Sequence, residues 1–106
     1  MLLENRISAF VKLGSFLSQF TIESVNKKND IEFNDVFFDI FKTQVKRAKE
    51  YNGWFNDENV LFSLENWAKS LTESNLKKWT SAYSITENSS KKIAIIMAGN
   101  IPLVGF

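Results

Sequence analysis

Apolar residues recur at helical spacing along the first 84 residues, and this pattern predicts four helices. The first predicted helix covers residues 3–20, with an apolar stripe made of Leu3, Ile7, Phe10, Leu17 and Phe20. Gly14 lies on the same stripe, although it costs up to about 1 kcal/mol of helix propensity relative to alanine. We therefore predict that a neighbouring element approaches the first helix closely at Gly14.

A polar connection over residues 21–32 leads to the second predicted helix, which begins at Asn34 and ends at Asn52-Gly53. Asn34 is the predicted N-cap, and Phe33 is predicted to pack on Phe38 as a hydrophobic staple. Gly53 is predicted to adopt the left-handed conformation that ends many helices. The predicted buried face consists of Phe37, Phe38, Phe41, Val45, Ala48 and Tyr51.

Two further helices follow, each preceded by a polar residue that can cap its N-terminus. Asn56 is the predicted cap of the third helix, and Thr72 is that of a shorter fourth helix. The fourth helix carries Trp79 and Tyr83 on its apolar side. The predicted core face of the third helix consists of Val60, Leu61, Leu64, Trp67, Ala68 and Leu71.

The pattern changes after residue 84. Residues 85–91 are mostly polar and predict a linker, whereas residues 92–98 are rich in strand-forming residues and apolar at consecutive positions after Lys92. Such a run is typical of a parallel strand that is covered on both faces. A fifth buried helical segment is the alternative, and Gly99 and Pro102 disfavour it.

The predicted fold is therefore mainly α. A four-helix region (1–84) and the linker (85–91) precede one β-strand and its turn (92–106). A lone parallel strand needs neighbours in a sheet, and the sequence predicts no other strand. We therefore expect residues 92–106 to open an α/β domain of which this chain holds only the beginning.

Composition excludes several functional classes within these 106 residues. The chain has no Cys and no His, so it offers no disulfide, no cysteine nucleophile and no thiolate or imidazole metal ligand. Its net charge of +1 lacks the positive excess that is typical of nucleic-acid-binding proteins. The N-terminus lacks the pattern of a signal peptide, and residues 93–106 are too short to span a bilayer. The expected compartment is therefore the cytoplasm. No metal site is expected in this chain.

The turn after the predicted strand is the candidate chemical site. In open α/β sheets, ligands collect at the carboxyl ends of strands. Gly99 permits close backbone approach there, and the Asn100 amide can donate a hydrogen bond to an oxygen that develops negative charge. The alternative is an ordinary strand-to-helix turn in which Asn100 caps the next helix and Pro102 takes its first position. The short motif alone favours that alternative.

The run Met-Ala-Gly-Asn-Ile-Pro-Leu-Val-Gly-Phe at 97–106 resembles the start of the nucleotide-binding domain in LuxC-like acyl-CoA reductases. Residues 51–55, 65–68 and 71–72 also resemble the helical lead-in of that family. The likeness extends over most of the chain and covers about the first third of a family member. It implies an aldehyde-dehydrogenase-like enzyme that reduces a fatty acyl-CoA to an aldehyde with NADPH, through a thioester on a cysteine.

The resemblance also assigns roles to the residues of the turn. In aldehyde dehydrogenases the turn reads Pro-Trp-Asn-Phe-Pro, and its Asn helps to hold the oxyanion. Asn100 matches that Asn and becomes the candidate catalytic residue. Ala98 and Gly99 replace the Pro-Trp pair and are the candidate cofactor-binding positions. Because the family's nucleophilic cysteine has no counterpart here, we expect this chain alone to be inactive and to bind no NADPH.

A second hypothesis comes from a different class of protein. The chain can be a self-contained helical interaction module whose apolar segment, residues 93–106, docks on a partner or on a second copy. Oligomerisation through residues 92–106 is expected on either hypothesis, because an unpaired strand invites pairing.

Three features of the second predicted helix have both a structural and a functional interpretation. The cluster of Phe33, Phe37, Phe38 and Phe41 is predicted as core, with an acyl-chain groove as the alternative. Asp35 and Asp39 are interpreted as acids that complement the helix dipole rather than as a catalytic carboxylate pair. The basic residues Lys42, Lys46, Arg47 and Lys49 are interpreted as a solvated face rather than as a phosphate site.

Overall fold

The structure, a computed structural model, describes residues 2–85, residue 92 and residues 94–96. These residues are mainly helical, as predicted. The four helices are α1 (Leu3–Leu17), α2 (Asn34–Tyr51), α3 (Asp57–Ser70) and α4 (Glu73–Thr80). The first predicted helix was too long, because the chain leaves α1 after Leu17 and turns towards the core.

The hydrophobic core lies where α1, α2 and α3 meet. Phe20, just beyond α1, is fully buried at its centre. Its ring centroid lies 4.9 Å from that of Phe41, edge-on, and 5.1 Å from that of Phe38. Helix α1 packs against α3 and α4, and α2 packs against α3. The other buried members of the core are Leu17, Val45, Leu64 and Leu71.

The close approach predicted at Gly14 is confirmed. A Cβ placed on Gly14 would collide with the carbonyl oxygen of Leu71 and come within 2.8 Å of Leu71 Cβ. Leu71 directly follows α3, so Gly14 allows this junction to lie on the backbone of α1. The lower helix propensity of glycine is therefore offset by the close packing of α1 against the α3–α4 junction.

The predicted caps of α3 and α4 are also confirmed. Asn56 Oδ1 accepts a hydrogen bond from the Asn59 N–H at 2.8 Å, and Thr72 Oγ1 accepts one from the Asn75 N–H at 3.3 Å. Both bonds satisfy an amide that has no partner within its own helix.

The start of α2 differs from the prediction. Asn34 is not the cap but the first helical residue, and its side chain is buried in hydrogen bonds with the preceding connection. Phe33 takes the cap position in a left-handed conformation, with φ of 67°. Phe33 lies beside Phe37, with ring centroids 6.3 Å apart, whereas Phe38 packs on Phe20. The predicted staple between Phe33 and Phe38 is therefore wrong.

The buried face and the end of α2 were predicted only in part. Phe38 and Val45 are buried, but Phe37 and Tyr51 are mostly exposed, because α2 contacts the rest of the molecule along a narrower strip than its apolar pattern suggests. The helix ends at Tyr51, yet Gly53 is not left-handed. An extended Asn52 ends the helix instead, and its N–H donates to the Ala48 carbonyl.

Most of the predicted linker and strand lies outside the described residues, which stop at 85 and resume only at 92 and 94–96. Those last four residues carry no strand, and Ile96 is fully exposed. Within the described part of the chain, the only β pairing is an isolated bridge between Phe20 and Val25. None of the helices described here is both long and apolar enough to cross a membrane.

Candidate functional site

The three site residues predicted from the sequence, Ala98, Gly99 and Asn100, lie outside the described residues. The described residues present two apolar grooves, one on each side of Leu13 in α1. Both grooves have the volume of small-molecule or side-chain binding sites.

The first groove lies between α1, α3 and α4 and has a volume of about 460 Å³. Its polar side chains are Ser70 and Asn75, and both form local hydrogen bonds. Ser70 Oγ donates to the Asn66 carbonyl at 3.0 Å, and Asn75 Nδ2 donates to the Lys69 carbonyl at 3.1 Å. The remaining lining is apolar and consists of Phe10, Leu13, Trp67, Leu71, Leu76 and Trp79.

The second groove lies between α1 and α2 and has a volume of about 520 Å³. Its walls include Leu13 and Phe16 from α1 and Phe37 and Ile40 from α2, with Phe33 at one end. The phenylalanine cluster of α2 therefore serves two purposes. Phe38 and Phe41 belong to the core, as predicted, whereas Phe33 and Phe37 line an exposed groove.

Several charged side chains of α2 form ion pairs at the surface of the helix. Asp35 is fully exposed and lies 3.5 Å from Lys27 Nζ. Arg47 Nε donates to Glu50 at 3.0 Å, and Lys49 lies 3.9 Å from Asp57. Among the described residues, no group of three acids is close enough together to hold a metal ion.

Ion pairs within helices change the pKa of four side chains, of which Glu65 is half-buried and the others are exposed. The hydrogen bond from Lys69 Nζ lowers the pKa of Glu65, and the N–H of Ile22 lowers it further. Glu73 and Lys77 form an equivalent pair in α4, where the pKa of Glu73 is lowered and that of Lys77 is raised. The hydrogen bond to Glu50 raises the pKa of Arg47 in the same way. All four groups stay charged at neutral pH and support helices rather than proton transfer.

A buried polar network joins the two ends of the α1–α2 connection, and the sequence analysis did not detect it. Gln19 and Asn34 exchange two side-chain hydrogen bonds, each 2.7 Å long. Gln19 Oε1 also accepts from the Lys28 N–H at 2.8 Å, and Asn34 Nδ2 donates to the Lys28 carbonyl at 2.6 Å. One feature of the sequence could have indicated this network. Gln19 and Asn34 both carry a side-chain amide, and each lies where an apolar helical stripe meets the polar connection.

The chain matches no protein-family model, no curated protein and no solved structure at a significant level. The described residues present two apolar grooves beside a packed core and a buried amide network.

Proposed function

We propose that this chain forms the N-terminal helical part of a nicotinamide-dependent acyl-CoA reductase of the LuxC-like kind. The observation that carries the proposal is the ten-residue run at 97–106, which follows an apolar segment and resembles the turn that opens the nucleotide-binding domain of that family. Three shorter likenesses support it. They fall at the end of α2, within α3 and at the junction between α3 and α4.

In the proposed enzyme, the chemistry is shared between this chain and residues beyond position 106. The Asn100 amide donates to the oxygen that becomes negative when a nucleophile adds to the thioester carbonyl. Ala98 and Gly99 would help to hold the cofactor. A bound NADPH supplies the hydride, and the cysteine that carries the acyl group lies outside this chain.

Replacement of Asn100 tests this assignment in the intact enzyme. Asn100→Ala should lower the turnover of a fatty acyl-CoA by about 100-fold or more, because a pre-oriented oxyanion donor is lost. Asn88→Ala, in the predicted linker, is the matched control and should leave turnover unchanged. Equal turnover in the Asn100→Ala variant and the wild type would remove Asn100 from the mechanism.

A second candidate function is a self-contained helical interaction module. The observation that favours it is the exposure of Ile95 and Ile96, which are the described isoleucines of the apolar C-terminal segment. The reading frame after residue 106 separates the two functions. A continuing α/β sequence with a cysteine supports the reductase, and a stop codon supports the module.

A further inference from the structure

The turn between α2 and α3 contains the one asparagine in the sequence that a glycine follows, Asn52-Gly53. Asn52 lies directly after the last residue of α2, and Gly53 is exposed to solvent. The space around Gly53 is open, since nothing lies within 4 Å of a Cβ placed there. An asparagine before an unhindered glycine can react with its own backbone, because the next backbone nitrogen and the side-chain carbonyl carbon can close a five-membered ring.

A hydrogen bond in this turn directs the Asn52 side chain along the chain towards Gly53. Asn52 Oδ1 accepts from the Trp54 N–H at 3.0 Å, so the side-chain amide spans Gly53 instead of folding back on α2. Among the described residues, no group accepts a hydrogen bond from the Gly53 N–H, which leaves this nitrogen accessible to base. The nucleophile and its target carbon therefore belong to the same exposed turn.

One backbone rotation separates this turn from the reactive geometry. The ring closes only when the side chain and the Gly53 nitrogen lie on the same side of the Asn52 Cα–C bond, and the extended ψ of 117° at Asn52 keeps them apart. Rotation about this bond breaks the hydrogen bond from Trp54 and the 2.9 Å bond from the Phe55 N–H to the Asn52 carbonyl. Both bonds lie in a surface turn outside the helices, where local opening costs little.

We propose that Asn52 is a site of spontaneous deamidation in the folded protein. The Gly53 nitrogen loses its proton to a base and attacks Asn52 Cγ. The new N–Cγ bond replaces the bond from Cγ to Nδ2, which takes up a proton and leaves as ammonia. Water then opens the resulting succinimide at either carbonyl and gives aspartate or isoaspartate, with no oxidation or reduction. This inference is independent of the proposed reductase function.

The product carries a new negative charge directly after α2. The carboxyl end of a helix already has a partial negative charge, so a carboxylate at this position is unfavourable. The net charge of the chain falls from +1 to zero. In the isoaspartate product the backbone also runs through the former side chain, which lengthens the connection between α2 and α3 by one atom. Deamidation therefore weakens the α2–α3 turn.

Peptide mapping by mass spectrometry tests the proposal on the 106-residue chain. The folded wild type is incubated at mildly alkaline pH, and the same chain unfolded in urea is the reference. Asn52 should deamidate in the folded chain at no less than about a hundredth of the rate in urea, because only two exposed hydrogen bonds have to open. Asn66, which lies within α3, is the internal control and should stay unmodified in the folded chain.

Gly53→Ala separates the chemistry of the turn from the stability of the fold. The added methyl group hinders the attack, so the rate at Asn52 should fall by about tenfold or more. The same methyl group has open space around it, so the variant should unfold at the same temperature as the wild type. The rate in the wild type should rise with pH, since the reaction begins with the loss of a proton from the Gly53 nitrogen.

Three results would overturn the proposal. One is an Asn52 that reacts in the folded chain more slowly than the stated limit or not at all, because the turn would then protect it. Another is a Gly53→Ala variant that deamidates as fast as the wild type. The third is a modification of Asn66 that precedes the modification of Asn52, because the exposed turn would then not determine the site.

Discussion

Gly14 shows how a single missing side chain determines the packing of two helices. The space at this position is filled by the Leu71 carbonyl, which belongs to the backbone and cannot move aside as a flexible side chain can. The sequence revealed this approach because a glycine interrupts an otherwise apolar helical stripe. It did not reveal the identity of the neighbour, which is 57 positions away in the chain.

Gly14→Ala should therefore destabilise the protein, although alanine is the better helix former. We expect the free energy of unfolding to fall by about 2 kcal/mol, because the added methyl group forces α1 and the α3–α4 junction apart. Urea denaturation followed by circular dichroism measures the effect. Gly53→Ala is the control, since nothing lies within 4 Å of a Cβ at that position, and it should stay within about 0.5 kcal/mol of the wild type. Equal stability of the Gly14→Ala variant and the wild type would contradict the packing described here.

The amide network of Gln19 and Asn34 makes a second prediction at a single residue. In Asn34→Asp the side chain keeps its shape but loses the NH₂ group that donates to Gln19 Oε1 and to the Lys28 carbonyl. A carboxylate would then be buried against two acceptors, so we expect a loss of about 3 kcal/mol in the free energy of unfolding at neutral pH. Asn59→Asp is the exposed control and should change stability by less than about 0.5 kcal/mol. Similar losses in the two variants would show that the network contributes nothing specific.

At the scale of elements, the features predicted correctly from the sequence are those set by interactions between residues close together in the chain. The caps at Asn56 and Thr72 were predictable, because each acts on an amide three residues away. The role of Asn34 was not predictable, because its side chain bonds to Gln19, which is 15 positions earlier and belongs to another segment. Likewise, the period of α2 indicates an apolar face but cannot show which part of that face the other helices cover.

The connection between α1 and α2 is tied to α3 by a charge, which gives it a dependence on pH. The Glu65 carboxylate accepts hydrogen bonds from Lys69 Nζ and from the N–H of Ile22, and both lower the pKa of Glu65. Its contribution to stability is therefore present at pH values above its pKa in the unfolded chain and is lost as the pH falls through the lower pKa of the folded protein.

Glu65→Gln should accordingly lower Tm at neutral pH and have little effect in acid, where the wild-type carboxylate is protonated as well. Thermal unfolding at a series of pH values measures this difference. Lys69→Met should reproduce most of this pH-dependent change in Tm, because the Lys69 hydrogen bond is the largest cause of the lowered pKa of Glu65. A Tm difference between Glu65→Gln and the wild type that stays constant down to acid pH would argue against this contact.

At the scale of the whole molecule, the mainly helical architecture followed from apolar periodicity, and the structure confirms it for the described residues. The candidate catalytic turn is inferred from sequence likeness alone, because it lies at 97–106, outside the part of the chain that the structure describes. The groove between α1 and α2 was only the alternative to a core in the sequence analysis, since the same phenylalanine spacing suits a core or a surface. The described residues thus combine a packed helical body with two exposed apolar grooves, and the chain carries a proposed link to a reductase domain.

The measurement that tests the central proposal most directly is NADPH oxidation by the intact protein in the presence of a long-chain fatty acyl-CoA. The proposed function predicts that NADPH is consumed, that the matching aldehyde accumulates and that Asn100→Ala suppresses both. An intact protein that carries a cysteine beyond residue 106 but consumes no NADPH with any acyl-CoA would contradict the proposed function, whatever the oligomeric state of the chain.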